Sequence, residues 1–260
     1  MNTKTDILVS LVIPCYNESN RLHILKQGIE EFWAQWSATA EIIVVDDGSK
    51  DDTSVQIQQQ LSNVHFIQLP ENQGKGGALR AGVLVAKGKY ILTVDADMAT
   101  HPLELKRWLQ QFPSQQFPNE ILIGSRKHPK SEIDVKQHRK WAGQLFNLWV
   151  KILTPIRFSD TQCGFKLYPA AIAKLLFQDL QIRGWAHDIE LLYKAAYLKI
   201  PVRAMPIRWQ HVDDEKIDVL SDGIKMAKEI TLMSYRYHLQ PQGKRHLKLL
   251  QQEFVERSKV

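Results

Sequence analysis

Apolar runs that end in acids and glycines set the rhythm of the first hundred residues. "ILVSLVIPCY" is apolar almost throughout, as a strand buried on both faces of a parallel sheet is. The segment from Ser19 to Trp36 then places Leu22, Leu25, Ile29, Phe32 and Trp33 at helical spacing. "EIIVVDDGS" reads as a second strand ending in acids and Gly48, and "DDTSVQIQQQL" as a helix capped by Asp51 or Asp52. A short third strand, "VHFIQL", follows. After it come a helix behind a glycine-rich turn, "GKGGALRAGVLVAK", and a fourth strand, "YILTVDAD". Strands alternating with helices predict βαβ units, a mostly parallel α/β sheet and right-handed crossovers. Ligands of such sheets sit outside the carboxyl ends of the strands. Those ends here read "PCYNE", "DDGS" and "DAD".

The second half is less regular. "EILIGSR" predicts a strand ending in Arg126, and "VKQHRKWAGQLFNLWVKIL" an amphipathic helix that is basic at its start. "DTQCGFKLYP" reads as a loop and strand. "GWAHDIELLYKAAYLKI" reads as a helix with acids in its first turn, where they suit the helix dipole. "VRAMPIRWQH" predicts one strand. "SDGIKMAKEITLMSYRYHL" predicts a helix with an apolar stripe at Ile224, Ala227, Ile230 and Met233 or Leu232. The last stretch, "GKRHLKLLQQEFVERSKV", is basic and amphipathic, suited to an anionic membrane surface or to a solvated helix.

Composition narrows the classes. With 260 residues, 44% hydrophobic and 24% charged, the chain is an ordinary globular one. Its net charge of +6 suits an anionic partner without selecting one. Two distant cysteines form neither a zinc spacing nor a disulfide framework, which points to a reducing cytoplasm. The N-terminal apolar run is broken by Ser10, Pro14 and Asn17, so no signal peptide is expected. No apolar segment reaches the roughly 18 residues of a membrane span. No aromatic-interleaved basic stripe argues for nucleic acid.

Candidate chemistry centres on "VDADMAT". In a strand Asp95 and Asp97 point the same way. Two neighbouring carboxylates repel unless a cation lies between them. A hard divalent ion, Mg²⁺ or Mn²⁺, relieves the repulsion and completes its shell with phosphate and water. "NQGKGGALRAG" lacks the spacing of a P-loop or of a dinucleotide fingerprint. Lys75, beside a helix N-terminus, is nonetheless placed for an anionic group.

The segments "VIPCYNE", "VVDDGSKDDT", "NQGKGGALRAG", "VDADMAT", "IGSR", "DTQCGFK" and "WAHDIE" occur in that order, over about three quarters of the chain. Together they resemble the inverting family 2 glycosyltransferases with the GT-A fold, and within them the dolichyl- and polyprenyl-phosphate glycosyltransferases. The resemblance implies a transferase domain at 7–212 with a nucleotide-sugar half (7–100) and an acceptor half (101–212), followed by an amphipathic helical tail at 213–260. It implies that Pro14, Tyr16, Glu18, Asp46 and Asp47 hold the base and ribose and that Lys75 lines the nucleotide pocket. Asp95, Ala96 and Asp97 would form the metal–diphosphate motif. Ser125 and Arg126, with Arg139, would face an acceptor phosphate. Asp160, Gln162, Trp185, Asp188 and Glu190 would line the sugar and acceptor pocket. "IRWQHVDDEKI" is similar to the strand and loop that close the site, which brings in Lys216, although Glu215 stands where that group usually has serine.

The implied reaction is transfer of a hexose from a UDP- or GDP-sugar, first of all glucose from UDP-glucose. The implied acceptor is a polyprenyl or dolichyl phosphate. The protein would act peripherally at the cytoplasmic face of a membrane, directly or through a membrane-protein partner. An anionic phosphate acceptor needs positioning cations rather than a strong base, and arginine forks suit it. With a hydroxyl acceptor, Asp188 would be the base. Open beside this reading are mannose transfer from GDP-mannose, transfer to a glycan hydroxyl, and a non-catalytic nucleotide-sugar-binding subunit.

Overall fold

A computed structural model describes residues 6–113, 116–134, 148–212 and 221–257. The predicted strands form one sheet of seven, in the order β3-β2-β1-β4-β7-β5-β8. Its strands are β1 (Val9–Cys15), β2 (Ala40–Asp46), β3 (His65–Gln68), β4 (Tyr90–Thr93), β5 (Ile121–Gly124), β7 (Lys166–Pro169) and β8 (Val202–Met205). β1 sits centrally, parallel to both β2 and β4, which is why it is apolar on both faces: Val12 faces one layer, Leu11 and Ile13 the other.

Helices cover both faces. α1 (Leu22–Gln35) buries Leu22, Leu25, Ile29 and Phe32, the predicted stripe. It shares its layer with Ile57 of α2 (Thr53–Gln60) and with Leu105 and Trp108 of α4 (Glu104–Leu109). The opposite layer contains α3 (Lys75–Val85), α5 (Ala170–Gln178), α6 (His187–Tyr197), α7 (Ser221–Leu239) and α8 (Pro241–Arg257). Ile230, Met233 and Tyr237 of α7, with Leu247 and Leu250 of α8, belong to the same core cluster as Val12, so the C-terminal helices extend the core on this side, α7 packing against α6 and α8 against α7. Within the predicted α7 stripe, Met233 turns inward while Leu232 and Ile224 are exposed.

Two departures from expectation shape the site. The predicted strand "VRAMPIRWQH" is two strands, β8 and β9 (Arg208–Gln210), because Pro206 lacks the N–H a continuing ladder needs. β9 pairs instead with β6 (Glu132–Asp134) in a small separate ribbon. The second departure is β7, which runs antiparallel to both β4 and β5. Its entry loop, residues 160–165, therefore arrives at the edge where β4 and β5 end.

Candidate active site

Four strand ends and one strand start meet at that edge. β1 delivers Pro14 and Tyr16, both partly buried, and then Glu18, whose carboxylate pairs with Arg21 at 2.9 Å. Glu18 N–H donates to Thr53 Oγ1 at 2.7 Å, tying this turn to the start of α2. β2 delivers Asp46 and Asp47, which part ways. Asp46 is fully buried, and its carboxylate accepts the hydroxyls of Ser49 and Ser54. Asp46, expected at the base and ribose, holds the "DDGS" turn. Asp47 accepts Gln73 N–H at 2.8 Å. Burial pushes its carboxyl up to about 6, opposed by the Gln73 and Gly74 N–H groups and assisted by the Asp46 charge.

A folded-state pKa above the unfolded value of 3.8 makes the ionised form the disfavoured one. The stability Asp47 contributes is full below pH about 4 and is lost as pH rises through about 6. Asp47→Asn should therefore gain on wild type by about 2 kcal/mol in urea titrations between pH about 4 and about 8. Parallel pH profiles of the two proteins would contradict the burial.

The glycine-rich turn is a packing device. Gly74 has φ +84°, and side-chain carbons at Gly74 and Gly76 would run into the Arg183 carbonyl and the His187 side chain. Gly77 N–H donates to the Arg183 carbonyl at 3.1 Å. The N-terminus of α3 is thereby pressed against the "RGWAHD" segment. This sets Lys75 Nζ 2.6 Å from Asp95 Oδ1 and 5.2 Å from the Trp185 ring centroid. Burial would lower the Lys75 pKa, but Asp95, Asp188 and Asp97 outweigh it and hold the ammonium charged.

Asp95 and Asp97 follow β4, with Ala96 buried between them. Burial and the neighbouring Asp95 charge both raise Asp97, while Ala99 N–H, donating at 2.9 Å, lowers it less. Lys75 and Arg21 offset the pair only in part, since Asp97 stays raised, and two neighbouring carboxylates so placed fit a hard divalent cation. Among the described residues no group of three or more His, Cys, Asp or Glu is placed to hold a metal. Substrate phosphates and water would have to supply the rest of the shell.

Across the pocket stands Arg126, at the end of β5. Asp160 grips it bidentately: Arg126 Nε donates to Oδ2 at 2.9 Å and Nη2 to Oδ1 at 2.8 Å, while the Arg126 backbone N–H adds a third bond at 2.8 Å. Burial would raise Asp160, yet the guanidinium keeps it below the usual carboxylate range. Asp160, expected in the sugar pocket, is a buried anchor that aims Arg126. Ser125 is buried, its N–H donating to the Met205 carbonyl at 3.0 Å. The pocket at this edge is lined by Asp95, Thr100, Arg126, Gln162, Gly164 and Trp209, among others. Arg126 lies over the Trp209 ring at 5.9 Å.

Gly164 explains the "GFK" loop. A methyl group there would overlap both carboxylate oxygens of Asp95, and Thr93 Oγ1 donates to the Gly164 carbonyl at 2.7 Å, fixing the approach. Gly164→Ala should displace Asp95 and lower kcat/KM at least about a hundredfold, some 3 kcal/mol of barrier, with the circular-dichroism spectrum unchanged. Wild-type turnover in that variant would show that Asp95 has no part in transfer. Burial, then the Asp160 charge, push the adjacent Cys163 thiol up to about 11, so it is no nucleophile.

The α6 acids lie deeper than expected. Asp188 is buried, with Lys166 Nζ at 2.8 Å and His187 Nε2 at 3.4 Å from its Oδ1. Burial would raise its carboxyl, but Lys166, His187 and Lys75 together keep it below the usual range. An ionised, ion-paired carboxylate is a weak base for a hydroxyl acceptor. Glu190, expected in the sugar and acceptor pocket, is not among the residues lining the pocket with Arg126. It is fully buried, pairs with Lys194 at 2.6 Å, and accepts Gln181 and Ile182 N–H and the Tyr237 hydroxyl. Arg139, Trp141, Glu215 and Lys216 lie outside the described residues.

The sequence reading missed the Lys166–Asp188 pair, the Gly164 contact and Trp209 in the pocket wall. Each was inside a quoted motif, but only the antiparallel β7 and the break at Pro206 bring them in.

The sequence pattern of Glycosyl transferase family 2 matches residues 10–176. The dolichyl-phosphate beta-glucosyltransferase of Dictyostelium discoideum is 35% identical, over 92% of this chain and 77% of that one. Its Homo sapiens counterpart is 34% identical, over 88% and 75%. Among solved structures, glucosyl-3-phosphoglycerate synthase from Mycobacterium tuberculosis, in complex with Mn²⁺, UDP and glucosyl-3-phosphoglycerate, superposes with a TM-score of 0.63. That likeness covers 88% of this chain and 78% of the other at 17% identity, and it concerns the GT-A-like fold.

Proposed function

This chain belongs to glycosyl transferase family 2, and we propose that it transfers glucose from UDP-glucose to a dolichyl or polyprenyl phosphate, with inversion, as a peripheral protein at the cytoplasmic face of a membrane. One observation carries the reading: a single pocket has the Asp95 acid on one wall and the anchored Arg126 guanidinium on the other. Identity of about a third to dolichyl-phosphate beta-glucosyltransferases supports the sugar and the acceptor. The UDP and Mn²⁺ in the synthase complex support the nucleotide and a divalent ion. No described helix is long and apolar enough to cross a membrane.

In this reading Asp95 and Asp97 hold Mg²⁺ or Mn²⁺, which when bound supplies Lewis-acid charge to the leaving diphosphate. Lys75, charged and beside Asp95, adds a fixed cation next to the same group. Tyr16, Glu18 and Asp47 border the base and ribose, and Trp185 offers the sugar an aromatic face. Arg126 positions the acceptor phosphate, its fork geometry set by Asp160 before substrate arrives. A phosphate oxygen is already anionic, so attack on the anomeric carbon needs no strong base. The commitment of Asp188 to Lys166 is compatible with that acceptor.

The test supplies UDP-glucose, UDP-galactose and GDP-mannose in turn, with a short polyprenyl phosphate and Mg²⁺ or Mn²⁺. Lipid-linked sugar should form from UDP-glucose. Product from GDP-mannose alone would replace the donor assignment, and tight UDP binding without any product would indicate a non-catalytic binder.

A further inference from the structure

α7 is amphipathic twice over. One face buries Ile230, Met233 and Tyr237 in the core. The opposite face should be polar if it met only water, yet it carries Ile224, Leu232, Tyr235 and Leu239, with Ile224 64% and Leu239 67% exposed. Steps of four, three and four residues join Leu232 to Lys228 before it and to Tyr235 and Leu239 after it, all on that outward face. Lys225 and Arg236 flank it, both exposed. Of the two acids of the helix, Asp222 is in the first turn, and Glu229, on the flank within reach of the Lys225 charge, turns toward Gly184.

A second exposed apolar element lies alongside. Trp149 Nε1 donates to Thr231 Oγ1 of α7 at 3.3 Å. The helical residues 148–153 expose Leu148, Trp149 and Ile152 together with Lys151. Aliphatic, aromatic and basic side chains thus share one surface whose described residues include no acid. Such a composition suits the boundary of an anionic bilayer, where apolar groups enter the acyl region, Trp and Tyr sit at the headgroups, and lysines meet lipid phosphates. A second copy of the chain fits less well: a two-fold contact through this face would gather Lys225, Lys228 and Arg236 of both copies at one interface.

We infer that the outward face of α7, with residues 148–153 beside it, docks this protein on an anionic lipid bilayer. Its place relative to the pocket gives the docking a purpose. Gln162, a pocket-lining residue, donates from Nε2 to Met226 Sδ of α7 at 3.2 Å. Glu229 of α7 packs near Gly184, next to Trp185. The bilayer-facing helix therefore borders the acceptor side of the site, which is where a lipid-borne phosphate would enter; this last step rests on the proposed function.

The experiment uses the full chain and vesicles of phosphatidylcholine with or without phosphatidylglycerol. Flotation should recover the protein with anionic vesicles, more weakly at high salt, and little with neutral ones. Leu232→Ser/Leu239→Ser and Lys225→Glu/Lys228→Glu should each lower the bound fraction at least about tenfold at unchanged melting temperature. Both variants should keep wild-type turnover of a short water-soluble polyprenyl phosphate, yet lose turnover of a long acceptor embedded in vesicles. Equal flotation of wild type and both variants would overturn the inference. So would a concentration-dependent dimer that these substitutions dissolve. Flotation without lipid glucosylation would sink the proposed reaction and leave the surface standing. Glucosylation of the short acceptor without flotation would do the reverse.

Discussion

Asp97→Ala should lower kcat/KM for sugar transfer at least about a thousandfold, a loss of some 4 kcal/mol of transition-state stabilisation, with no loss of fold. Asp97 accepts one local bond, from Ala99 N–H, and its charge is disfavoured where it sits, by burial and by Asp95. Removing it relieves a like-charge contact, so the variant should melt at or above the wild-type temperature. Asp97→Asn separates the two roles, because the amide oxygen can still accept the Ala99 bond while the carboxylate charge is gone. It should be nearly as inactive. Steady-state kinetics across Mn²⁺ concentrations checks the pair, and turnover within about threefold of wild type in either variant would remove Asp97 from the metal assignment.

Lys166→Met should cost about 3–5 kcal/mol of folding stability. Lys166 is 1% exposed, and its ammonium bridges the buried Asp188 carboxylate and the Cys163 carbonyl. Methionine fills similar space but leaves Asp188 a buried anion supported only by the charge of Lys75, which is paired with Asp95, and by a histidine that burial disposes to neutrality. Adding Asp188→Leu should recover most of the loss, since replacing both members of a buried pair by apolar groups is often neutral. Urea unfolding at neutral pH measures both variants. A single-variant cost under about 1 kcal/mol, or a double variant no better than the single, would show that the pair does not bear on the core.

What the sequence disclosed, and what it withheld, follows from which interactions are local. β1, β2 and β4 were legible because strands buried on both faces read as near-continuous apolar runs. Their acid-tipped ends then identified the ligand-binding edge. Strand direction leaves no such trace: nothing in "KLYP" says that β7 runs backwards, although that reversal carries Gly164 and Lys166 to Asp95 and Asp188. The helix Ala170–Gln178 went unread, hidden behind Pro169, whose position just before a helix is permissible. Carboxylates were the hardest to assign. Asp46 and Asp47 are neighbours in sequence, but two serine hydroxyls draw one inward while the other stays at the turn beside Gln73. Asp188 and Glu190 differ likewise, since Glu190 meets Lys194 one helical turn on, the Gln181 and Ile182 N–H groups of the preceding loop, and the hydroxyl of Tyr237, 47 residues along the chain. Donors supplied by tertiary structure decide which acids face a ligand, and spacing alone cannot count them.

The most direct test of the central claim, glucose transfer to a lipid phosphate, compares two acceptors that differ in one group. The purified protein receives radiolabelled UDP-glucose and Mn²⁺ with either a short polyprenyl phosphate or the matching polyprenol, and label is counted in the organic phase. Label should appear with the phosphate and be released by mild acid as glucose, with polyprenol giving background. Label with polyprenol but not with the phosphate would contradict the role of Arg126 and the assignment of a lipid-phosphate acceptor.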